Sequence, residues 1–342
     1  MTYKREKKKI SEADMYVITG GAGFLGSNLA AGMEEREMGE ITIVDRFETD
    51  NRWRNIAKRS LREIVFPERM FEYLDKHADQ IDAVIHISYT GFTDENNVDA
   101  LIEERVHLTF RLWTWCAEHR KPFIYDSTAG VYGNGTLGFK DDDSAEALAK
   151  LRPLSAEAWT KLFLDRKIVD TINRGEAAPP QWIGLRCFNL YGPNEYHNTR
   201  HQSVIPRIYN AAKNGKLFPL FKSANPAYKD GEQMRDFMWI KDTVDVILWL
   251  VTHKEISGLF NIGTGRARTY ADVLKATYEA VGEEPEMDFM DLPTEIKEQY
   301  QYFTQADIQK LRTAGYTKDF TSLEEGVKQY VQDYLEQPDP YR

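Results

Sequence analysis

The residues with the clearest chemical potential lie on one predicted helix, in the stretch PLSAEAWTKLFLDR at positions 153–166. Glu157 and Lys161 are four residues apart and share a helix face, so the carboxylate could accept a proton beside an ammonium group. The same spacing also produces ordinary surface ion pairs, which contribute only about 0.2–0.5 kcal/mol. Leu164 and Ile168 continue the stripe, which favours partial burial of the pair. Catalysis by Glu157 and a simple ion pair therefore both remain open.

A second pair of polar groups, Asp126 and Thr128, ends the predicted strand KPFIYDST at positions 121–128. Alternate residues of a strand share a face, so Asp126 should face a substrate if Thr128 does. Asp126 and Glu157 would then be two carboxylates at one site, which can act as an acid–base pair. The alternative is that Asp126 only hydrogen-bonds nearby backbone.

A glycine-rich turn, TGGAGFLG, follows the apolar run MYVITGG and opens a helical pattern. This arrangement is typical of a dinucleotide-binding turn, because the glycines permit a tight turn and let a pyrophosphate approach the helix N-terminus. Asp45 ends the next strand, where a ribose hydroxyl would sit. The predicted cofactor-binding residues are Gly20, Gly23, Phe24, Leu25, Gly26, Asp45, Arg46, Arg52 and Lys161.

Basic residues cluster directly after Asp45, among them Arg46 and Arg52. They could form a solvated basic surface, or they could bind the 2′-phosphate of NADP, which suits the planar guanidinium group. We predict NADP, with NAD as the alternative cofactor.

Apolar strand-like runs alternate with helical patterns along most of the chain, which predicts a parallel sheet covered on both faces. The predicted fold is α/β: a Rossmann doubly wound parallel sheet with a smaller, discontinuous C-terminal substrate lobe. Residues 1–14 are expected to form a flexible basic tail. The Rossmann domain is assigned residues 15–192 and 238–265, and the substrate lobe residues 193–237 and 266–342. The predicted strands are 15–21, 40–46, 81–88, 121–128, 181–189 and 258–265, and residues 98–119 are predicted to form a helix between the third and fourth strands.

The composition excludes several classes of protein. The 342 residues carry a net charge of −10, which disfavours broad binding to nucleic acid, and only two cysteines are present. No metal-ligand cluster, signal peptide or membrane-spanning run is expected. We predict a cytoplasmic protein that does not bind a membrane.

Several separate motifs resemble the extended short-chain dehydrogenase/reductase family of nucleotide-sugar epimerases and dehydratases. They are TGGAGFLG, STAGVYG, RCFNLYGPNE, RDFMWIKD and FNIGTGRARTY. The segments GPNEYH, QYQYFTQADI and LRTAGY are most similar to the heptose epimerases of that family. The resemblance implies a nicotinamide cofactor, a nucleotide-diphosphate sugar such as ADP-heptose as substrate, and a homo-oligomer.

The resemblance also implies a set of substrate-binding positions. Asn189 would line the substrate side, Arg235 would bind the diphosphate, and Tyr300 would lie near the nucleotide or its phosphates. His201 is a further candidate phosphate contact. Two positions that differ from the family complete the set: Tyr89 stands where a small residue borders the nicotinamide, and Asn198 stands where the heptose epimerases have a lysine.

The catalytic positions differ most from the family pattern. Thr128 replaces a serine, and Lys161 is retained, but Glu157 stands where the family has its catalytic tyrosine. Arg105 stands in place of a supporting asparagine, and Asp126 in place of a small residue. The predicted catalytic set is therefore Thr128, Glu157, Lys161 and Asp126. Three functions remain open. The first is an epimerase, and the second is another enzyme on the same scaffold, namely a dehydrogenase, a reductase or a dehydratase. The third is a non-catalytic nucleotide-sugar-binding protein.

Overall fold

The central element is a seven-stranded sheet in which every neighbouring pair of strands is parallel. The computed structural model describes residues 14–47, 49–88, 97–199, 202–297 and 300–342. The strands of this sheet are β1 (Met15–Thr19), β2 (Glu40–Val44), β3 (Glu63–Val65), β4 (Ile81–His86), β5 (Phe123–Thr128), β6 (Trp182–Cys187) and β11 (Gly258–Ile262).

The strand order is β3-β2-β1-β4-β5-β6-β11, and the direction of winding reverses between β1 and β4. In open parallel sheets, ligands bind beyond the carboxyl ends of the strands at such a reversal. The fold therefore places the glycine turn after β1 and the polar residues after β4 and β5 at one edge. The predicted Rossmann α/β fold is confirmed.

The helices cover both faces of the sheet. They are α1 (Phe24–Glu35), α2 (Met70–Lys76), α3 (Val98–Ile102), α4 (Leu108–Glu118), α5 (Ala145–Lys150), α6 (Ala156–Asn173), α7 (Ile205–Lys213), α8 (Ile240–Thr252), α9 (Tyr270–Val281), α10 (Thr294–Lys297), α11 (Gln309–Thr313) and α12 (Leu323–Tyr330). Neighbouring residues of β1 enter two different cores: Ile18 packs with residues of α1 and α8, and Val17 packs with residues of α4 and α6. This alternation is expected of a strand buried on both faces.

Three short strand pairs lie outside the large sheet. β7 (Asn189–Tyr191) pairs with β10 (Phe237–Trp239), β8 (Pro219–Phe221) with β13 (Asp288–Met290), and β9 (Met234–Arg235) with β12 (Arg268–Thr269). Helices α7, α9 and α12 pack together in the same part of the molecule. The division into a Rossmann domain and a discontinuous substrate lobe, with the boundaries given above, stays a prediction.

All six predicted strands coincide with strands of the large sheet, although each observed strand is shorter. Among the seven strands of this sheet, only β3 has no predicted counterpart, because its three residues are too few to form a recognisable pattern. The long helix expected after β4 is divided into α3 and α4 by a π-helical turn at Glu103–His107. Within the described residues, no helix is long and apolar enough to cross a membrane. Most of the expected flexible tail, residues 1–13, lies outside the described residues.

Candidate active site

The glycine turn leads directly from β1 into α1 and leaves no room for side chains. Gly20 has φ +61°, and a Cβ added there would lie 2.3 Å from the carbonyl oxygen of Ile87. A Cβ added at Gly26 would lie 2.2 Å from the carbonyl oxygen of Gly20. The turn therefore requires glycine at both positions, and its backbone lies where the helix N-terminus can approach a phosphate group.

Asp45 is completely buried at the end of β2, beside the glycine turn. Its carboxylate accepts hydrogen bonds from the backbone N–H groups of Ala22 and Arg46, both at 2.7 Å. Arg52 Nη1 lies 3.4 Å from Asp45 Oδ1, and Arg52 Nη2 lies 2.7 Å from Asp50 Oδ2. The carboxylate predicted to meet the ribose thus has a fixed orientation, with a guanidinium group next to it.

A cavity of about 190 Å³ runs from this carboxylate along the carboxyl edge of the sheet, and we call it the inner cavity. Its walls include the glycine turn with Phe24 and Leu25, as well as Asp45, Arg52 and Asp126. The opposite wall comes from the loop after β7 and is formed by Glu195, His197 and Asn198. Asn198, which was predicted to contact the substrate, therefore lies in the part of the site that contains most of the predicted cofactor-binding residues.

A larger cavity of about 590 Å³, the outer cavity, adjoins the inner one. Five residues line both cavities, namely Phe24, Asp126, Ser127, Cys187 and Leu190. The predicted catalytic and substrate-binding residues that line the outer cavity are Asp126, Thr128, Glu157, Lys161, Asn189 and Tyr300. All four predicted catalytic residues are thus brought together, and Asp126 lies where the two cavities meet.

Lys161 is buried and forms an ion pair with Asp126, with 2.9 Å between Nζ and Oδ1. The Lys161 ammonium also donates a hydrogen bond to Ser88 Oγ and one of 2.9 Å to the carbonyl oxygen of Asp126. Asp126 Oδ1 accepts hydrogen bonds from the backbone N–H and the hydroxyl of Ser88, at 2.9 and 2.7 Å. The predicted backbone contact of Asp126 is present, together with an ion pair that the sequence analysis did not anticipate.

Glu157, in the first turn of α6, forms an ion pair with Arg105, with 2.5 Å between Oε1 and Nη1. The Arg105 side chain is only 3% exposed, whereas that of Glu157 is 34% exposed and lines the outer cavity. Arg105 lies in the π-helical turn, 52 positions earlier in the chain. Two residues that depart from the family pattern are therefore direct partners of each other.

The surroundings of Lys161 and Asp126 shift the pKa values of both groups. Burial lowers the pKa of Lys161, and the neighbouring Asp126 carboxylate opposes this effect. Burial alone would raise the pKa of Asp126, but Lys161, His86 and the Ser88 hydrogen bond together hold it below its ordinary value. Asp126 is therefore ionised at neutral pH, although its lowered pKa makes the carboxylate a weaker base than an ordinary aspartate.

Thr128 and Asn189 complete the wall of the outer cavity near Glu157. Thr128 Oγ1 accepts a hydrogen bond of 3.1 Å from the backbone N–H of Gly130, so its hydroxyl proton can still be donated to a ligand. Asn189 begins β7 and is exposed. Both side chains line the same cavity as the two carboxylates, and their roles towards a substrate stay predictions.

Arg235 is 7% exposed and lies next to two tyrosines that line the outer cavity. Its guanidinium carbon is 5.4 Å from the ring centre of Tyr300 and 5.9 Å from that of Tyr270, and both tyrosines line the cavity. Burial raises the pKa of Tyr300. The structure thus brings Arg235 and Tyr300 together, and their roles in binding the substrate stay predictions. Tyr89 and His201, the remaining predicted substrate contacts, lie outside the described residues.

Two residues with a direct part in this site were not predicted as site residues. Ser88 follows β4 and contacts both Lys161 and Asp126, and the only signal for it is its place after a buried strand. Arg105 was noticed as a departure from the family pattern, but its partner could not be inferred because the two residues are distant in sequence.

Comparison with known proteins agrees with this architecture. Residues 16–263 match the model of a family described as the NAD dependent epimerase/dehydratase family. A protein of Fusobacterium nucleatum named ADP-L-glycero-D-manno-heptose-6-epimerase is 41% identical over 335 residues, which cover 96% of this chain and 100% of the relative. A protein of the same name from Nitratidesulfovibrio vulgaris is 37% identical, with coverage of 96% and 100%.

Solved structures of related enzymes have the same fold. A crystal structure of ADP-L-glycero-D-manno-heptose-6-epimerase from Helicobacter pylori superposes with a TM-score of 0.76 at 24% identity, covering 94% of this chain and 96% of that one. MoeE5 in complex with UDP-glucose and NAD superposes with a TM-score of 0.71 at 26% identity, covering 93% and 97%. The chain belongs to the NAD-dependent epimerase/dehydratase family of nucleotide-sugar enzymes.

Proposed function

We propose that this protein is a nicotinamide-dependent epimerase of a nucleotide-diphosphate sugar, with ADP-heptose as the best candidate substrate. The observation that carries the proposal is the 41% identity, over nearly the whole of both chains, to a protein named ADP-L-glycero-D-manno-heptose-6-epimerase. The reaction would oxidise one sugar carbon transiently and return the hydride to the opposite face. Net consumption of the cofactor is therefore not expected.

The two adjoining cavities support this assignment. The inner cavity has the glycine turn and Asp45, which fit the phosphates and a ribose of a dinucleotide. The outer cavity of about 590 Å³ lies within the usual size range of small-ligand sites. In the proposed binding mode, the sugar lies next to Asp126 and Glu157, and the nucleotide and diphosphate extend towards Tyr300 and Arg235.

The choice of NADP over NAD is part of the proposal. Arg52 lines the inner cavity beside Asp45. A guanidinium group at this position could bind a 2′-phosphate through two parallel hydrogen bonds. Arg52 already contacts the carboxylates of Asp45 and Asp50, so a phosphate would have to replace one of these contacts. NAD, whose free 2′-hydroxyl would suit the Asp45 carboxylate, is the alternative.

The proposed roles of the catalytic residues follow from their positions. The cofactor, when bound, accepts and returns the hydride. Two of the predicted catalytic residues, Asp126 and Glu157, carry a carboxylate and line the outer cavity. Either carboxylate can accept the proton of the sugar hydroxyl that is oxidised. Lys161 keeps Asp126 ionised through their contact. The Thr128 hydroxyl can donate a hydrogen bond to the reacting oxygen.

A second candidate function is a different reaction on the same scaffold, either as a dehydrogenase or reductase or as a dehydratase. The observation that favours it is the ion pair between Glu157 and Arg105 at the position of the family's catalytic tyrosine. A carboxylate that is held by arginine is a weaker base than a phenolate, so the usual oxidation step would be slower. If the protein catalyses no reaction, the same two cavities would still suit a protein that only binds a nucleotide sugar.

The test is incubation of the purified protein with ADP-heptose and catalytic NADP. Epimerisation predicts a new sugar epimer by NMR without a lasting change in absorbance at 340 nm. A stoichiometric rise in absorbance would indicate a dehydrogenase, and a product that has lost water would indicate a dehydratase. Binding without any product would support the non-catalytic alternative.

The cytoplasmic location and the homo-oligomeric state are also proposed. Cell fractionation tests the location, and light scattering tests the oligomeric state.

A further inference from the structure

The segment Asp339–Arg342, which we call the terminal strap, contacts residues that neighbour the walls of the inner cavity in sequence. Arg342 makes the most contacts. Its guanidinium binds both carboxylate oxygens of Glu35, through Nε at 3.2 Å and Nη2 at 2.7 Å, and Nη1 donates to Asn28 Oδ1 at 3.2 Å. Its backbone N–H donates to Asn194 Oδ1 at 2.9 Å. The Arg342 side chain is only 7% exposed, so this is a packed contact and not a loose surface pair.

Asn28 and Asn194, the two asparagines that Arg342 contacts, are both completely buried and connect the walls of the inner cavity. Asn28 Nδ2 donates to the carbonyl oxygens of Phe24 and Pro193, both at 2.9 Å. It thereby joins the first turn of α1 to the loop that contains Glu195, His197 and Asn198. Fixing this asparagine fixes the distance between two opposite walls of the cavity.

Asn194 connects the same loop to the third wall. Its Nδ2 donates to Ser27 Oγ at 3.0 Å and to the carbonyl oxygen of Asn55 at 3.3 Å. Asn194 has φ +75°, which is unfavourable for a residue with a side chain, so these hydrogen bonds offset a conformational cost. Asn55 Nδ2 in turn donates to the carbonyl oxygen of Ala22 in the glycine turn, at 2.8 Å.

The remainder of the terminal strap holds the segment that carries Arg52. Lys58 binds Asp339 at 2.9 Å and also donates to the carbonyl oxygen of Tyr341. The guanidinium of Arg54 lies over the ring of Tyr341, 6.0 Å from its centre. The strap therefore contacts all three elements that surround the predicted adenosine end of the cofactor.

We propose that Arg342 is a positioning residue for the dinucleotide site, an inference that rests on the proposed function. It holds α1, the loop after β7 and the segment around Arg52 in the arrangement that binds the cofactor, although it does not line the cavity itself. A wall that is already ordered lowers the entropic cost of binding. The effect should therefore fall on the affinity for the dinucleotide and not on ligands of the outer cavity.

The experiment compares Arg342→Ala with wild type by titration with NADPH, followed by fluorescence, and by titration with ADP-sugar, followed by calorimetry. We expect Kd for NADPH to rise about three- to tenfold, which lies within the range of indirect couplings. Kd for the ADP-sugar should change less than about twofold. Arg342→Lys keeps the charge opposite Glu35 but loses the planar fork, so it should give an intermediate Kd for NADPH.

Arg312→Ala is the matched control, because Arg312 also fixes main-chain carbonyls, those of Tyr316 and Lys318, in the segment that packs on α8. Unchanged NADPH affinity in Arg342→Ala, with a loss of thermal stability like that of Arg312→Ala, would overturn the proposal. So would an equal loss of affinity for both ligands. If Arg342→Ala does not fold, Glu35→Gln replaces it and should raise Kd for NADPH about twofold or more. A wild-type protein that binds no nicotinamide dinucleotide would instead refute the proposed cofactor, and the role of Arg342 with it.

Discussion

Two ion pairs at the centre of the site contain three charged residues, Glu157, Arg105 and Asp126, at positions where the family resemblance led us to expect uncharged ones. Arg105 pairs with Glu157, and Lys161 pairs with Asp126. Buried ion pairs contribute little net stability, because loss of hydration offsets most of their attraction. At the residue scale, the simplest account of these pairs is therefore that they orient two carboxylates towards the outer cavity.

The first prediction concerns these carboxylates. Glu157→Gln and Asp126→Asn keep the shapes of the side chains but remove the proton-accepting groups. If the two act as an acid–base pair, each substitution should lower kcat on a demonstrated substrate by about 10²–10⁴-fold. The affinity for NADPH should change little in Glu157→Gln, because Glu157 lies on the outer cavity and not on the inner one. Steady-state kinetics with Glu118→Gln, on the exposed end of α4, as control would measure the effect.

A fully active Glu157→Gln would show that Glu157 serves only as the partner of Arg105. Proton transfer would then belong to Asp126, provided that Asp126→Asn is still impaired. Full activity in both variants would exclude the proposed acid–base pair altogether.

The second prediction at the residue scale concerns cofactor choice. Arg52→Ala should weaken the binding of NADP more than that of NAD, because a charge-assisted contact to the 2′-phosphate contributes about 1.5–3 kcal/mol. Fluorescence titration with NADPH and NADH measures both affinities. Arg174→Ala is the control, since Arg174 is exposed at the end of α6 and pairs with nearby surface carboxylates. Equal weakening of both cofactors, or none, would contradict the choice of NADP.

At the scale of elements, the loop between β7 and α7 depends on one buried carboxylate. Glu195 accepts hydrogen bonds from the backbone N–H of Ser203 at 2.6 Å and from its hydroxyl at 2.8 Å. Burial nevertheless raises the pKa of Glu195 to about 7. The folded protein therefore holds a proton on this group more tightly than the unfolded chain, in which the pKa is near 4.5.

This raised pKa predicts that Glu195 makes the folded state less stable as pH rises. Its contribution is fully present below about pH 4.5 and is lost as pH increases through about 7. Glu195→Gln should therefore flatten the fall of Tm between pH 5 and pH 7.5. Differential scanning calorimetry of both proteins across this range measures the difference. An identical pH dependence in the two proteins would show that Glu195 does not govern the stability of this loop.

At the scale of the whole molecule, the carboxyl edge of the sheet unites parts that are far apart in the chain. The glycine turn follows β1, Asp45 follows β2, and Asp126 and Thr128 end β5. The outer cavity adds residues from α6, β7, β8 and β13. Ligand binding should therefore stabilise the folded chain as a unit, since these elements are together only in the native state.

We expect the dinucleotide, at a hundredfold excess over its Kd, to raise the free energy of unfolding by about 2.7 kcal/mol. Thermal unfolding with and without NADP measures this as an increase in Tm. Gly26→Ala is the control, because its Cβ would clash with the carbonyl oxygen of Gly20. A similar increase in Tm for Gly26→Ala would place the binding site away from the glycine turn.

The sequence by itself determined the parallel α/β fold and the glycine turn, because both follow from local patterns. Buried strands appear as short apolar runs, and a turn that excludes side chains requires glycine at particular positions. It also indicated the family and the positions that depart from it. Strand β3, with only three residues, is too short to be recognised as an apolar run.

Only the tertiary structure decided how the charged residues pair. The i,i+4 spacing suggested Lys161 as the partner of Glu157, but Arg105, 52 positions away, lies 2.5 Å from the Glu157 carboxylate. Lys161 instead pairs closely with Asp126, because β5 brings Asp126 beneath α6. Sequence spacing specifies neighbours on one helix, whereas contacts between elements depend on how the whole chain packs. The contacts of Arg342 with α1 likewise depend on the packing of the whole chain and do not follow from sequence spacing.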